Sequence, residues 1–418
     1  MSSSVVAFRS RHRVSTLRPA EARARSVRRR VGVAWGLVVL NCLTYYGSAL
    51  PVPHAVGKVL TQGALPAALL VALTVNRRVV VRPNVFLCLV SVLVLEAVVT
   101  TLQPQHFGNV YRFFRLVEFV AVLWLLSPWW GRRDLLLVRA YLISLSVALG
   151  TVILGLLVVP GKALSGGRLN GVLYDIPATE VAHYAAVTAG LIVVLWLSGI
   201  TSGRVAALAA VAGVAIILLS HTRTALIGMV ASLLVAGLSL IVTKARARKF
   251  FAAAGVVVSI GIVTVAGVAT TWLARGQSES QLTSLTGRTD FWSLVLNLPR
   301  TRFQEIFGFG LSNGSINGLP IDSNWLVAYL EQGLIGVIVC AAMVLFLLVA
   351  AFFQPPGARR ALALFLITYS LVASFTQVGF AQPTTYLLEL ILAASLMVPP
   401  VETGGWDEGN AGAQPRSL

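Results

Sequence analysis

The chain has 418 residues, of which 57% are hydrophobic and only 11% are charged, and its mean hydropathy is +0.82. A soluble domain carries about a quarter charged residues, so this composition excludes a soluble globular protein and indicates a polytopic membrane protein. The formal net charge of +18 does not indicate a nucleic-acid partner, because Lys and Arg stand in short clusters between apolar runs, as they do in the cytosolic loops of membrane proteins.

The N-terminal segment 1–30 carries nine Arg residues before the first apolar run. It lacks a small-residue cleavage site after a short apolar core, so we predict an uncleaved basic cytosolic tail that faces membrane lipids. A nucleic-acid arm is the less favoured alternative. All three cysteines, Cys42, Cys88 and Cys340, fall in apolar runs, so the sequence predicts neither a disulfide framework nor a cysteine metal site.

Apolar runs of about 20 residues, the length that crosses a hydrocarbon core, recur through 31–400, the predicted membrane domain. We predict an all-α polytopic integral membrane protein with about 12 transmembrane helices, followed by a disordered cytosolic tail over 401–418. The predicted spans are 31–50, 56–75, 85–103, 111–128, 135–159, 176–198, 205–220, 224–243, 250–272, 324–353, 361–379 and 384–400.

The charge distribution sets the predicted orientation. With the N-terminus in the cytosol, 23 of the 33 Lys and Arg residues fall on the inner side and ten on the outer side. This bias follows the positive-inside rule. We therefore expect a multi-pass protein of the bacterial plasma membrane with both termini cytosolic.

Two predicted outer loops exceed hairpin length. Residues 160–183 contain glycines and a proline that favour irregular backbone, and residues 273–323 form one large extracytoplasmic loop late in the chain. The "DFWSLVLNLP" of the second loop predicts a short helix that lies against the bilayer surface.

Arginine recurs at the predicted outer ends of the spans. Arg223 stands in the seam "LLSHTRTALIG" between two spans, where the positive-inside rule disfavours it. Arg112 and Arg115 share one face at the start of span 4, and Glu118 is the predicted ion-pair partner of Arg115. A guanidinium suits phosphate because its planar fork donates two hydrogen bonds at once. The arginines expected to converge on an anion are Arg112, Arg115, Arg168, Arg223 and Arg288. Snorkelling to lipid headgroups is the alternative for such residues.

Few carboxylates lie on the predicted outer side. Asp322 stands just before span 10, where it is either a functional acid or the N-cap of that helix. Within the spans, Glu180 and His183 are three residues apart and are expected to form a polar pair. Glu96 and Glu389 are candidate proton or ion sites of a transporter.

Three segments, taken in order, resemble the O-antigen ligase and O-antigen polymerase superfamily. "LLSHTRTALIGMV" looks like the family's Ser-x-Ser-Arg segment, with Arg223 as its arginine. "GRTDFW" looks like the Arg-x-x-x-Trp start of the late outer loop, with Arg288 as its arginine. "FGFGLSNGSINGLPIDSNWLVAYLEQGLIG" looks like a Gly-x-Gly stretch followed by His-Asn-x-aromatic-Leu and Gly-Leu-apolar-Gly. A fainter match, "NGVLYDIPATEVAHYAAV", resembles the segment that opens span 6. Together these matches cover most of residues 160–345.

One departure from the family pattern concerns the proposed base. When Gly333 is aligned with the family glycine, Asp322 and Ser323 stand where ligases carry His-Asn. An aspartate can also accept the proton of an acceptor hydroxyl, and the change suits a polymerase or another glycan-transfer member better than a ligase proper.

The resemblance implies an inverting, metal-independent glycosyltransferase without a cofactor, acting in cell-surface polysaccharide assembly. Its donor would be a polyprenyl-pyrophosphate-linked glycan, and its acceptor a glycan or glycolipid hydroxyl at the outer membrane face. Arg223 and Asp322 would be catalytic, as the charge-stabilising group and the general base. Arg112, Arg115, Arg168 and Arg288 would bind the pyrophosphate.

Two other classes compete with this interpretation. A transporter or flippase of a phosphate-bearing lipid-linked or anionic substrate would use the same arginines as a binding path and an intramembrane glutamate to couple ions. A glycosyltransferase that uses a polyprenyl monophosphate sugar usually carries an acid in its first outer loop. The "PVPHAV" of this chain contains none, which disfavours that class.

Overall fold

The computed structural model describes residues 4–43, 54–101, 107–254, 288–312, 314–316 and 319–399. These residues are mainly helical, as predicted, and they also contain one short antiparallel hairpin, β1 Ser315–Ile316 with β2 Leu319–Pro320. The helices are α1 Ser4–Cys42, α2 His54–Val75, α3 Val85–Thr101, α4 Phe107–Leu126, α5 Leu136–Val158, α6 Pro160–Ala163, α7 Ala178–Leu197, α8 Gly203–Leu219, α9 Arg223–Ile241, α10 Arg288–Leu296, α11 Arg302–Phe307, α12 Asn324–Phe353, α13 Ala358–Ala373 and α14 Thr385–Met397.

The fold class predicted from hydropathy is confirmed at the level of apolar helices. Among the described residues, five helices are long and apolar enough to cross a membrane, and three further apolar helices are shorter. The long ones are Gly57–Val75, Leu136–Val158, Ala178–Leu197, Arg223–Ile241 and Asn324–Phe353. The predicted span 250–272, the first part of the loop 273–323 and the tail 401–418 lie largely or wholly outside the described residues. The basic segment predicted as a tail is continuous with the first span, because α1 begins at Ser4.

Helices α7 and α14 form the centre of the bundle. In the apolar stretch of α7 that could cross a membrane, 83% of the residues are buried, whereas the corresponding share is 28 to 39% in the other four long apolar helices. Every residue of α14 is buried. Small side chains permit this packing, since a Cβ on Gly213 of α8 would lie only 2.6 Å from the Cβ of Ala189. The peripheral helices instead expose large apolar side chains such as Leu157, Val242 and Phe352, which suits a surface that faces lipid.

Helix ends meet in two separate sets. We call the first set the Arg223 end, and it joins segments that the predicted topology places outside. There the Tyr174 hydroxyl donates to the Leu43 carbonyl at 2.9 Å, and the Thr376 and Thr224 hydroxyl oxygens lie 3.1 Å apart. The C-terminal ends of α1 and α13 and the N-terminal ends of α7 and α9 therefore lie at this end.

The second set, which we call the Arg359 end, joins segments predicted to lie inside. The Arg359 guanidinium donates to the Leu396 carbonyl at 2.7 and 3.0 Å and to the Gly131 carbonyl at 3.2 Å. Arg82 donates in turn to the Trp130 carbonyl at 3.3 Å. A cation that binds the last carbonyls of a helix satisfies orphan acceptors and interacts favourably with the helix dipole, so Arg359 closes the C-terminus of α14.

Helix α12 is broken at Gly333, whose φ of 61° and ψ of −156° are not helical. The preceding loop runs along the break, where the Phe309 N–H donates to the Leu330 carbonyl at 2.8 Å. A Cβ on Gly333 would lie 2.4 Å from the Ile306 carbonyl oxygen, so this approach requires glycine. The part of α12 that follows, 334–353, is alone about long enough to cross a hydrocarbon core.

We expect Gly333→Ala to lower the midpoint of thermal unfolding, measured on protein purified in detergent micelles. A non-glycine residue in this backbone conformation costs about 1–3 kcal/mol, and the new methyl group would also collide with the Ile306 carbonyl. Gly150→Ala in α5 is the matched control, because a Cβ there meets nothing within 4 Å and alanine favours a helix. Equal midpoints for Gly333→Ala and the wild type would contradict a strained break.

Candidate functional site

Two of the predicted anion-binding arginines meet at the seam between α8 and α9. The seam is a tight turn in which His221 adopts a φ of 50°. Arg168, from the loop after α6, lies against this turn, since its Nε donates to the Ser220 carbonyl at 3.0 Å and its Nη2 to the Thr222 hydroxyl at 3.3 Å. Arg223 follows directly as the first residue of α9.

These two arginines share their turn with the N-terminus of α9. Both side chains are half-buried. Burial lowers the pKa of the Arg168 guanidinium from its ordinary value. That ordinary value is so high that arginine stays charged in proteins. Arg223 stands at the N-terminus of a 19-residue helix, the end that carries the positive pole of the helix dipole and disfavours cations. Two guanidinium groups and a helix N-terminus on one turn favour a bound anion.

Arg115 has a different set of partners from the one predicted. Its Nε donates to Asn41 Oδ1 at 3.0 Å, and its Nη2 donates to the Asn41 carbonyl at 2.7 Å and to the Pro383 carbonyl at 3.2 Å. The predicted ion pair with Glu118 is wrong, because the ion pairs among the described residues do not include it. Arg115 instead ties the end of α1 to the segment before α14, and these carbonyls satisfy most of its donors.

The other two arginines are placed less fully. Arg112 is half-buried in α4, one turn nearer than Arg115 to the start of that helix. Arg288 is the first residue of α10, and its side chain lies outside the described part of the chain. Their convergence with Arg223 stays a prediction.

Asp322 is half-buried and lies two residues before Asn324, the first residue of α12. Ser323 occupies the N-cap position and α12 begins at Asn324, so the alternative interpretation of Asp322 as N-cap is wrong. Asn324 fixes this junction, because its Oδ1 accepts hydrogen bonds from the Phe380 N–H at 2.7 Å and the Gly379 N–H at 3.2 Å. Asp322 is thus held at the Arg223 end without being required as the helix cap.

Sequence reasoning missed a polar junction at Glu331, a fully buried residue of α12. Its Oε1 accepts from the Ser312 hydroxyl at 2.7 Å, the Ser312 N–H at 3.0 Å and the Gly314 N–H at 2.9 Å. Its Oε2 accepts from Gln382 Nε2. One carboxylate therefore fastens the late loop and the segment before α14 to the broken helix. The sequence signal that could have indicated this junction was the triplet "EQG" inside an otherwise apolar run.

Arg300 fastens the same loop at a second point. Its guanidinium carbon lies 4.1 Å from the centre of the Tyr329 ring, and its Nη2 donates to the Val295 carbonyl at 2.9 Å. A cation over an aromatic face is attracted by the negative face of the ring. Arg300 and Glu331 together hold the loop that precedes Asp322 against α12.

A second polar cluster joins the two central helices. His183 Nε2 of α7 lies 3.0 Å from Glu389 Oε1 of α14, and both side chains are at most 1% exposed. Glu389 also accepts from the Tyr141 hydroxyl at 2.9 Å and the Ser370 hydroxyl at 3.0 Å. His183 thus pairs with Glu389, and it also interacts electrostatically with Glu180, the partner that the sequence predicted.

Among the described residues, no three His, Cys, Asp or Glu side chains lie together in a way that could hold a metal ion. No protein-family model matches the chain, and no curated protein shows significant similarity to it.

Proposed function

We propose that the protein transfers a glycan from a polyprenyl pyrophosphate to an acceptor hydroxyl at the outer face of the plasma membrane, as a polymerase or ligase similar to those of O-antigen assembly. The observation that carries this proposal is the binding of Arg168 to the turn that leads into Arg223. Two guanidinium groups from separate segments suit the two phosphates of a lipid pyrophosphate.

In the proposed reaction the acceptor oxygen attacks the anomeric carbon from the face opposite the pyrophosphate. The bond between that carbon and the phosphate oxygen breaks, and the configuration inverts. Arg168 and Arg223 stabilise the negative charge that develops on the leaving pyrophosphate. Asp322 takes the proton of the acceptor hydroxyl as general base. Pyrophosphate is already a good leaving group, so positioning supplies much of the remaining acceleration.

The hydrogen bonds of Glu331 and the ring contact of Arg300 support the position assigned to Asp322. Both hold the loop before Asp322 against α12. We propose that this loop orders the acceptor above the arginine pair and that Glu331 acts as a positioning residue.

The proposal requires about 12 spans, a late loop on the outer side and both termini in the cytosol. Single cysteines test these sides in a background without native cysteine. We expect Ser165→Cys and Glu305→Cys to react with an impermeant thiol reagent on intact cells, and Lys249→Cys to react only after permeabilisation. All three positions are exposed, so folding does not shield them. Labelling of Lys249→Cys in intact cells would reverse the assigned sides.

Deletion of the gene tests the proposed activity in the cell. We expect a polyprenyl-pyrophosphate-linked glycan to accumulate, detected by mass spectrometry of extracted lipids, while the corresponding surface polysaccharide is lost. Restoring the wild-type gene should reverse both effects. An unchanged pool of lipid-linked glycans would contradict the proposal.

A second candidate function, a transporter or flippase of a lipid-linked or other phosphate-bearing substrate, is favoured by one observation. The His183–Glu389 pair is buried between the two central helices, and ionisable residues inside membrane helices often mark ion or proton paths. A transporter would move the lipid-linked donor across the bilayer and leave its pyrophosphate bond intact, so the two functions differ in their product.

A further inference from the structure

Helix α11 of the late loop has an exposed apolar face. Phe303 and Ile306 are 36% and 44% exposed, and the Phe303 ring stacks on the Phe307 ring with centroids 4.8 Å apart. Residues three and four apart share one face of a helix, so these three side chains form a single apolar surface. Gln304 and Glu305 lie on the other side, and Glu305 is exposed. The helix is therefore amphipathic, with an apolar side that the described residues leave partly uncovered.

The break in α12 indicates the level of this face relative to a bilayer. The part of α12 after the break, 334–353, is about as long as a hydrocarbon core is thick. It exposes large apolar side chains along its whole length, and polar residues bound it at both ends, Gln332 before the break and Gln354 after the helix. We therefore expect Gly333 to lie at the boundary between the hydrocarbon and the lipid headgroups.

Helix α11 meets α12 at this same boundary. The Ile306 carbonyl lies so close to Gly333 that an added Cβ on Gly333 would collide with it. Leu334, the residue after the break, is 52% exposed, and Ile306 is 44% exposed. Large apolar side chains thus project from both sides of one backbone contact. The apolar face of α11 therefore continues the exposed apolar surface of α12.

The chemistry of this face fits the interfacial layer of a phospholipid membrane. The apolar side of an interfacial helix lies about 5–10 Å into the boundary between headgroups and acyl chains. Arg302, exposed at the start of α11, carries a positive charge that can reach lipid phosphates. Tyr329 lies about one turn before the break, at the level where tyrosine and tryptophan are enriched in membrane proteins. Because the adjoining surface of α12 faces lipid in a membrane, lipid is the occupant that the continuity of this surface selects.

We propose that α11 binds membrane lipid beside the break in α12, with Phe303, Ile306 and Phe307 inserted among the acyl chains and Glu305 in water. This surface is distinct from the short surface helix predicted from "DFWSLVLNLP", which lies earlier in the same loop. It does not depend on the proposed glycan transfer, because its residues are separate from those assigned to the reaction. Insertion of α11 fixes the height of the late loop, which leads to Asp322, relative to the membrane.

Electron paramagnetic resonance of spin labels on single cysteines tests this surface in the full-length protein, without native cysteine and reconstituted in phospholipid liposomes. Power saturation compares the accessibility of each label to oxygen, which concentrates in lipid, with its accessibility to a water-soluble nickel complex. We expect labels on Phe303→Cys and Ile306→Cys to be more accessible to oxygen, as on Leu345→Cys, an exposed position within the long part of α12. Glu305→Cys is the matched control on the same helix and should be more accessible to the nickel complex.

Photolabelling of the wild type gives a second readout that does not depend on how the cysteine variants fold. A phospholipid with a diazirine on its acyl chain labels side chains that contact lipid, and mass spectrometry should locate adducts within α11 as well as within α12, the positive control. Preference for the nickel complex at Phe303→Cys and Ile306→Cys would place this face in water. Protection from both reagents would show that protein covers it. Either result, or a wild-type α11 without lipid adducts, would overturn the proposal.

Discussion

Replacement of Arg223 by lysine is expected to lower the rate of glycan transfer by about 10²–10³, the loss typical of removing one charge-stabilising donor. Lysine keeps the charge but lacks the planar fork that donates two parallel hydrogen bonds to a phosphate. Arg223→Ala should lose at least as much. The rate is measured as release of polyprenyl pyrophosphate by purified protein, after normal expression and a monodisperse elution profile have been established.

A control and a double variant sharpen this expectation. Arg204→Lys changes an exposed arginine at the start of α8, the opposite terminus of that helix from the seam, and should leave the rate unchanged. Because Arg168 and Arg223 act on the same pyrophosphate, the double substitution by lysine should cost less than the sum of the two single losses. Near-normal turnover by both Arg223→Lys and Arg223→Ala would make Arg223 a snorkelling residue.

Asp322→Asn is expected to lower transfer by about 10²–10⁴, the usual contribution of a general base. The amide has the same shape but cannot accept the proton of the acceptor hydroxyl. The helix start should be unaffected, because Ser323 and not Asp322 occupies the N-cap position. Donor binding, measured by calorimetry with a polyprenyl pyrophosphate analogue, should stay close to that of the wild type because the arginines are untouched.

Ser323→Ala is the control for a disturbed start of α12 in the experiment with Asp322→Asn. The Ser323 side chain forms no capping hydrogen bond, so its removal should change neither the unfolding midpoint nor the transfer rate appreciably. Full turnover by Asp322→Asn would contradict its role as base and direct the search for that group elsewhere at the Arg223 end.

Hydropathy and charge were sufficient to predict the helices but not the polar contacts between them. An apolar run of about 20 residues is a local property, and the described helices begin and end within several residues of most predicted spans. The charge distribution of the loops also predicted that Arg168 and Arg223 lie on the same side of the membrane, since both are in segments predicted to lie outside. Their meeting at Ser220 and Thr222 depends on how the loop after α6 folds back.

The contacts that sequence reasoning missed join residues far apart in the chain. Sequence spacing favoured Arg115 with Glu118 and His183 with Glu180, because residues three apart share a helical face. Tertiary packing instead brings Arg115 to Asn41, and it adds Glu389 as a partner of His183 beside the predicted Glu180. Neither of the added contacts has a local pattern.

The break at Gly333 was missed for a related reason. Glycine is common in membrane helices, so Gly333 alone does not predict an interruption of an apolar run. The break depends on the late loop, whose backbone approaches the helix near Ile306 and binds it through Phe309. The hydropathy of the sequence shows the apolar run on both sides of Gly333, but it contains no information about that contact.

The most direct test of glycan transfer uses purified protein in proteoliposomes that contain a polyprenyl-pyrophosphate-linked saccharide and an acceptor glycan. We predict release of polyprenyl pyrophosphate in step with a longer or acceptor-linked glycan of inverted anomeric configuration, and loss of both products with Arg223→Lys. Movement of the intact lipid-linked saccharide across the bilayer, with no pyrophosphate released and no glycan extended, would contradict the enzyme and identify a transporter.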